Sequence, residues 1–242
     1  ASGESQRALI LYQKMKEDSL QPDARTFVSL LKACAKIKDV ERGCELHVDV
    51  SKNRLIENDI FVGSTLIYMY TKCGALTKAI QVLKELPLRN VVSWNALIAG
   101  FAQQGQGHRA LECLEQMQIE GISSNAITLI CMLKTCARLE DIGKCQEVHN
   151  DIVTKGLETC LEVGSALVEM YSKNSCIEIA KEIFDKLPLR DVISWTSLIA
   201  KYAEYGQGGE AFKLFEQMRL EGASPDVVTF VCSLKACARE GT

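Results

Sequence analysis

VVSWNALI, at residues 91–98, returns as VISWTSLI at residues 192–199, and this duplicated stretch decides the fold. Its apolar side chains recur at i, i+3, i+4 and i+7, as in Trp94, Leu97, Ile98 and Phe101. That spacing places them on one face of an α-helix. The pattern therefore predicts an amphipathic helix that is present at least twice.

The duplication extends outward from both copies, and two further units recur with it. LKACA at 31–35 returns as LKTCA at 133–137 and unchanged at 234–238, and the VGS at 62–64 returns at 163–165. In the unit that contains VVSWNALI, the glycine-containing turn at 105–107 is followed by a second helical stripe, Ala110, Leu111, Leu114 and Met117. Three related helical hairpins thus alternate in a fixed order that repeats after about a hundred residues.

Capping residues are expected at the ends of these helices. Gly121 suits the left-handed stop of a second helix, and Asp39 and Asp141 are placed to cap second helices. We expect hydroxyl groups to cap the starts of the first helices, at Thr26, Ser93, Thr128, Ser194 and Thr229.

One hairpin cannot bury both of its apolar stripes, whereas stacked neighbours can. We therefore predict an all-α, superhelical α-solenoid whose first helices line one face, essentially without β-structure. Both ends fall inside hairpins, which suggests a piece of a longer array that self-associates through uncapped ends. The expected boundaries are 1–23 (partial), 24–59, 60–90, 91–125, 126–160, 161–191, 192–226 and 227–242 (partial).

Composition excludes several classes of protein. The chain has 242 residues, 47% of them hydrophobic, and no apolar run long enough to cross a membrane. Eleven cysteines without a CxxC pair favour buried thiols in a reducing compartment over disulfides. The net charge of −3 argues against non-specific nucleic-acid binding, so any cationic surface must be local.

Two kinds of helical solenoid have this period: tetratricopeptide arrays, which bind peptides, and pentatricopeptide arrays, which bind RNA. Tetratricopeptide repeats place a small residue where this chain has large ones, at Leu31, Ile98, Leu133 and Ile199. LPLRNVVSWNALI at 86–98 and LPLRDVISW at 187–195 resemble the signature of plant pentatricopeptide proteins of the PLS subclass. The resemblance covers the whole chain and implies a right-handed superhelix. It identifies 91–125 and 192–226 as P, 24–59 and 126–160 as L, and 60–90 and 161–191 as S repeats.

The resemblance also implies a mode of RNA binding in which each repeat reads one base. The fifth and last residues of a repeat hydrogen-bond the Watson–Crick edge of that base. These pairs are Ser64 with Asn90, Asn95 with Asn125, Ser165 with Asp191, and Thr196 with Asp226. The implied bases are adenine, a pyrimidine with cytosine favoured, guanine and guanine. The L repeats have apolar fifth residues, Val28 and Ile130, so the expected RNA is 5′-N-A-(C/U)-N-G-G-3′. For the fifth residues, the alternatives are helix capping and solvent exposure.

Two further sets of residues follow from the resemblance. The second residues of the repeats would sandwich bases, or else serve ordinary packing between repeats: Phe61, Val92, Ile127 and Ile193. Arg25 and Glu162 depart from this apolar pattern. The thirteenth residues of the L and S repeats would contact phosphate, or else form solvated helix ends: Lys36, Lys72, Arg138, Lys173 and Arg239.

The sequence shows no catalytic motif. None of His47, His108 and His149 begins the H-x-E of a zinc deaminase, and we expect neither a metal nor a cofactor. PLS arrays resemble the targeting half of cytidine-to-uridine RNA editing factors of chloroplasts or mitochondria, in which chemistry lies in a separate downstream domain. The alternatives are a scaffold that binds a peptide or an editing partner, and a piece of a complete deaminase.

Overall fold

The computed structural model describes the backbone of residues 2–240 and the side chains of residues 3–238. Within these residues the chain forms fifteen helices and no strand. It divides into two compact units, residues 1–125 and 126–242. The first unit contains α1 (Ser2–Glu17), α2 (Ala24–Ile37), α3 (Val40–Lys52), α4 (Leu55–Asn58), α5 (Ile60–Lys72), α6 (Leu76–Glu85), α7 (Val91–Gln103) and α8 (Gly107–Ile119). The second contains α9 (Ala126–Leu139), α10 (Ile142–Thr154), α11 (Leu161–Lys173), α12 (Ile177–Lys186), α13 (Val192–Glu204), α14 (Gly208–Leu220) and α15 (Val227–Glu240).

The predicted apolar stripes form the core of each unit. Trp94, Leu97, Ile98 and Phe101 of α7 are all at most 4% exposed, and Trp195 of α13 is fully buried. Within the first unit, the first helices α2, α5 and α7 pack on one another in succession. In the second unit α9, α11, α13 and α15 do the same. Most second helices pack against the first helix of their own hairpin and against the next one, so first helices form a shared layer.

The second helices differ in length in a regular way. Helices α6 and α12 have 10 residues each, whereas α3, α8, α10 and α14 have 13 each. The two short helices lie in the ranges 60–90 and 161–191, which are also the shortest of the predicted repeats. The hairpins therefore differ in length chiefly in their second helices.

The caps predicted for the second helices are confirmed, at the starts of α3 and α10 and at the end of α8. Asp39 and Asp141 accept hydrogen bonds from the backbone N–H groups of Arg42 and Lys144, both at 3.0 Å. Gly121 has φ +74°, the left-handed conformation that ends α8. These features depend on local sequence alone, which explains why they can be recognised without a structure.

The predicted start of the first helices is wrong by three residues. Ser93, Ser194 and Thr229 are the third residues inside their helices, and the N-cap of α7 is Asn90. Asn90 Oδ1 accepts from the Ser93 N–H at 2.8 Å, while the Ser93 hydroxyl bonds back to the Asn90 backbone. The last residue of one predicted repeat therefore caps the first helix of the next.

Two histidines of second helices bond to tyrosines of the next first helix. His47 Nδ1 lies 2.9 Å from the Tyr70 hydroxyl, and His149 Nδ1 lies 2.9 Å from the Tyr171 hydroxyl. Burial lowers the pKa of both imidazoles. The histidines thus connect α3 to α5 and α10 to α11. No helix in the described residues has the length and apolar character needed to cross a membrane.

Candidate nucleic-acid interface

The fifth and last positions of the predicted repeats lie at the N-terminal ends of neighbouring first helices. Asn95 and Thr196 are the fifth residues of α7 and α13, and Asn90 and Asp226 directly precede α7 and α15. Because consecutive first helices in each unit pack on one another, a fifth residue and the following cap belong to the same edge of the layer. This edge, formed by the fifth residues and the caps, is called the reading edge below.

At Asn90, Asp191 and Asp226, capping uses one side-chain atom and leaves the other available. Asp191 Oδ1 accepts from the Ser194 N–H at 2.9 Å, and Asp226 Oδ1 accepts from the Thr229 N–H at 2.8 Å. The opposite atoms, Asn90 Nδ2, Asp191 Oδ2 and Asp226 Oδ2, form no hydrogen bond within the described part of the chain. Asparagine therefore presents a donor and aspartate an acceptor, on side chains held in place by the helix start.

Two fifth residues are joined to their last residues by hydrogen bonds. Asn95 Nδ2 donates directly to Asn125 Oδ1 at 3.1 Å. The Thr196 hydroxyl lies 2.7 Å from the hydroxyl of Thr229, which in turn donates to Asp226 Oδ1 at 2.8 Å. The structure thus brings together the pairs that the sequence assigned to repeats 91–125 and 192–226.

The serine pairs are not joined in this way. Ser64 and Ser165 are only 6% and 2% exposed. The Ser64 hydroxyl donates to the Ile60 carbonyl at 2.9 Å, and Ser165 Oγ is buried without a hydrogen-bond partner in the described residues. A base would have to enter between neighbouring first helices to reach either hydroxyl, and base reading by these serines stays a prediction.

The second residues are exposed although they are apolar. The exposed fraction is 71% for Phe61, 56% for Val92, 67% for Ile127 and 52% for Ile193. Each second residue is related to the fifth residue as i to i+3, so both lie on neighbouring turns of one helix face. Exposed apolar side chains beside polar ones offer flat contact surface for the face of a base, since stacking tolerates any base. Base sandwiching by these residues stays a prediction.

The thirteenth residues lie at the C-terminal ends of the first helices. Lys36 and Arg138 are exposed, whereas Lys72 Nζ donates to Gln103 Oε1 at 2.8 Å. Lys173 forms an ion pair with Glu169 at 2.6 Å. The side chain of Arg239 lies outside the described residues. Phosphate contact by this set stays a prediction, and within the set Lys173 already has an acidic neighbour.

Sequence reasoning noted Glu204 at the thirteenth position of 192–226 but did not predict that acidic groups pair with the lysines of the second unit. A groove of about 320 Å³ along α11 and α13 is lined by Glu169, Lys173, Lys201 and Glu204, and by Thr196 on the reading edge. Lys201 pairs with Glu204 at 3.0 Å. In the first unit, Tyr68 and Gln103 occupy the places of the two glutamates. Aligning the two copies of the repeat would have revealed this difference in charge.

No metal centre was found among the described residues, since no three His, Cys, Asp or Glu side chains lie close enough to hold an ion. His47 and His149 instead bond to tyrosines, as described above.

An α-solenoid built from two-helix repeats is the class of protein that this geometry defines. The fold agrees with the crystal structure of the pentatricopeptide repeat protein PPR10 in complex with an 18-nt psaJ RNA element. The TM-score is 0.76 at 17% identity, over 99% of this chain and 36% of that one. PPR10 from maize matches with a TM-score of 0.61 at 21% identity, over 97% of this chain and 40% of that one. The predicted solenoid of helical repeats is thus confirmed.

Sequence comparisons give the family. The PPR repeat family model matches residues 89–138 and 190–239, and the PPR repeat model matches 64–91 and 165–192. Each match recurs 101 residues later, and together they cover more than half of the chain. The chain belongs to the pentatricopeptide repeat family.

Its relatives include several pentatricopeptide repeat-containing proteins of Arabidopsis thaliana. Chloroplastic CRR2 is 36% identical over 99% of this chain, and chloroplastic At4g18520 is 36% identical over 97%. Mitochondrial At3g09040 is 36% identical over 98%. The chain spans 37%, 38% and 23% of the length of these three relatives.

Proposed function

We propose that this chain binds single-stranded RNA and reads one base at each pair of fifth and last residues. The observation that carries the proposal is the double role of the last residues. Asn90, Asp191 and Asp226 each use one side-chain atom to cap a helix and leave the other available, two positions before an exposed apolar residue of that helix. The proposal is further supported by the fold shared with PPR10, whose RNA complex has been solved.

The choice of base follows from the atom that the cap leaves available. Aspartate presents an acceptor, which suits the ring N–H of guanine or uracil, whereas the amide nitrogen of asparagine suits the ring nitrogen of adenine or cytosine. The fifth residue then selects between the two members of each class. This reasoning supports A opposite Asn90 and G opposite Asp191 and Asp226. Opposite Asn125 it favours C over U, within the expected RNA sequence 5′-N-A-(C/U)-N-G-G-3′.

We also propose that the repeats alternate as P, L and S, with the boundaries given above. The 101-residue spacing of the family matches and the shorter second helices of 60–90 and 161–191 support this assignment. PLS arrays are the targeting part of organellar C-to-U editing factors. The proposed role is therefore to select the site of RNA editing. The proposed compartment is a chloroplast or a mitochondrion, because CRR2 is chloroplastic and At3g09040 is mitochondrial.

The test is fluorescence anisotropy with labelled single-stranded RNAs that contain 5′-UACUGG-3′. We expect Asp226→Asn to move the preference at the last position from G to A, because the cap then presents a donor. Roughly a tenfold change in relative affinity is expected from a hydrogen-bond difference of about 1.4 kcal/mol.

Asp191→Asn is the matched control, since it should change the preference only at the fifth position of the RNA. Equal binding to all RNAs, or none, would contradict the proposal. In that case a groove that binds a peptide or an editing partner becomes the better explanation, and binding should then lack the strong salt dependence of RNA contacts.

A further inference from the structure

Three side chains form a continuous hydrogen-bonded chain at the reading edge of the second unit. The Thr196 hydroxyl lies 2.7 Å from the Thr229 hydroxyl, which lies 2.8 Å from Asp226 Oδ1. Thr229 is fully buried, Thr196 is half-buried, and Asp226 is exposed. Thr229 belongs to α15, so it lies outside the repeat, 192–226, whose two reading residues it connects.

The charge of Asp226 fixes the direction of these hydrogen bonds. The amide and hydroxyl of Thr229 hold the pKa of the Asp226 carboxyl below its usual value, so this group is an acceptor at neutral pH. Thr229 must therefore donate its only proton to Asp226. Its lone pairs accept from the Asp226 N–H, at 3.3 Å, and from the Thr196 hydroxyl. Thr196 is left with lone pairs alone, and can act toward a base only as an acceptor.

We propose that Thr229 determines the base specificity of repeat 192–226, because it fixes the Thr196 hydroxyl as a hydrogen-bond acceptor. This inference rests on the proposed function. With Thr196 Oγ1 and Asp226 Oδ2, the site presents two acceptors side by side. Guanine has two neighbouring donors on its Watson–Crick edge, the ring N1–H and the N2 amino group. Uracil has one donor, and adenine and cytosine have an acceptor at the ring position.

The corresponding serines do not build this connection. The Ser194 hydroxyl donates to the backbone carbonyl of Asp191 at 2.9 Å, and Ser93 bonds the carbonyl of Asn90 at 2.8 Å. Thr26, by contrast, donates to the carboxylate of Asp23 at 2.7 Å, as Thr229 does to Asp226. Among these four, threonine at the third helical position turns its hydroxyl toward the cap side chain, and serine turns it toward the cap backbone.

The test replaces guanosine by inosine at the last position of 5′-UACUGG-3′. Inosine keeps the ring N–H and lacks only the N2 amino group, so the affinity ratio measures the contact to Thr196. In the unmodified chain we expect guanosine to bind roughly three- to tenfold more tightly, the range for one hydrogen bond. Thr229→Val keeps the shape and the backbone cap but removes the hydroxyl. Thr196 can then rotate to donate, and the ratio should fall toward one.

Thr196→Val removes the acceptor itself without touching the cap, and it should abolish the same preference if Thr229→Val proves unstable. Ser194→Ala removes a capping hydroxyl that does not reach a fifth residue, and it should leave the ratio at the last position unchanged. Thermal unfolding by circular dichroism separates a loss of fold from a loss of specificity.

A guanosine preference that survives in folded Thr229→Val overturns the inference and leaves the proposed function intact. The same holds if the unmodified chain binds the RNA but does not distinguish guanosine from inosine. Failure of the unmodified chain to bind any RNA overturns the proposed function, and this inference with it.

Discussion

Residues 60–125 and 161–226 contain the same four helices in the same order, yet they are packed differently on the side of the second helices. In the second copy, the ring of Phe184 meets Trp195 edge-on, with ring centroids 4.6 Å apart. In the first copy Leu83 takes that place, and a cavity of about 430 Å³ lies beside Trp94. The comparison teaches that the repeat pattern specifies the helices, while the volume of single side chains decides how well they pack.

The two copies also differ on the side of the first helices. Glu169 and Glu204 neutralise Lys173 and Lys201 in the second copy. In the first copy Lys72 has Gln103 as its hydrogen-bond partner, and among the described residues it forms no ion pair. If both copies bind RNA, attraction to phosphate should come mainly from the first copy, and base contacts should matter more in the second.

The largest expected effect is on stability, when Phe184 of the second copy, which the first copy replaces by leucine, is truncated. We expect Phe184→Ala to destabilise its unit by about 3–5 kcal/mol, because it removes a fully buried ring from Trp195. Leu83→Ala should cost nearer 2 kcal/mol, since fewer atoms are removed next to an existing cavity. Urea denaturation followed by tryptophan fluorescence measures both, because each copy contains one of the two tryptophans. Equal losses would contradict the difference in packing.

The next largest effect is expected on base preference, when the pair Thr196 and Asp226 is converted into the kind of pair that Asn95 and Asn125 form. Thr196→Asn with Asp226→Asn recreates the directly bonded pair of Asn95 and Asn125. We expect the preferred last base to change from G to C by about tenfold. In this background Thr229→Val should no longer alter base preference, because the longer amide needs no bridge. Anisotropy with RNAs that vary only at the last position measures both effects, and a continued effect of Thr229→Val would refute the comparison.

A smaller effect is expected from the charges. Glu204→Gln and Glu169→Gln should each raise RNA affinity roughly twofold, since exposed ion pairs contribute little and a lysine becomes available to phosphate. Lys72→Gln should weaken binding and lower the salt slope by about 0.7. Titrations at several salt concentrations test this. A slope that changes equally for Lys72→Gln and Lys173→Gln would show that the two copies attract phosphate alike.

The smallest expected effect is the dependence of stability on pH, and it should be the same in both units. Burial lowers the pKa of His47 and His149 from 6.5, so the unfolded chain binds protons more readily than the folded one. Stability should therefore be constant above that value and should fall as the pH decreases below about 6.5. Urea midpoints at pH 7.5 and 5.5 measure the loss, and His47→Gln and His149→Gln should each reduce it. A loss confined to one histidine would contradict the equal effect expected for α3 and α10.

The sequence predicts features that depend on local pattern and misses those that depend on contacts across hairpins. Helical spacing locates Trp94, and a glycine locates the end of α8 at Gly121, because both signals lie within a few residues. A stretch such as Asn90-Val91-Val92-Ser93 contains two residues able to cap, and only the backbone geometry shows which one does. The link from Thr196 to Thr229 joins residues 33 positions apart, and no local pattern indicates it.

The burial of Ser64 and Ser165 is a further example. Each is polar and follows the start of a helix, which suggested an accessible hydroxyl. Their exposure depends on how closely the neighbouring first helices approach, and hence on side chains from other hairpins. The sequence could therefore assign the positions of the reading residues without revealing how deep they lie.

The arginine of the LPLR loop connects hairpin 60–90 to hairpin 91–125, and hairpin 161–191 to hairpin 192–226. Arg89 donates from Nε to the Leu83 carbonyl at 3.0 Å and from Nη1 to Glu120 at 2.5 Å. Arg190 bonds Phe184 and Glu221 in the same way, at 3.1 and 3.0 Å. Each arginine and its glutamate belong to different hairpins. An engineer who moves a single hairpin into another array would thus leave a guanidinium or a carboxylate without its partner, and the natural unit for transplantation is the pair of hairpins that the arginine joins.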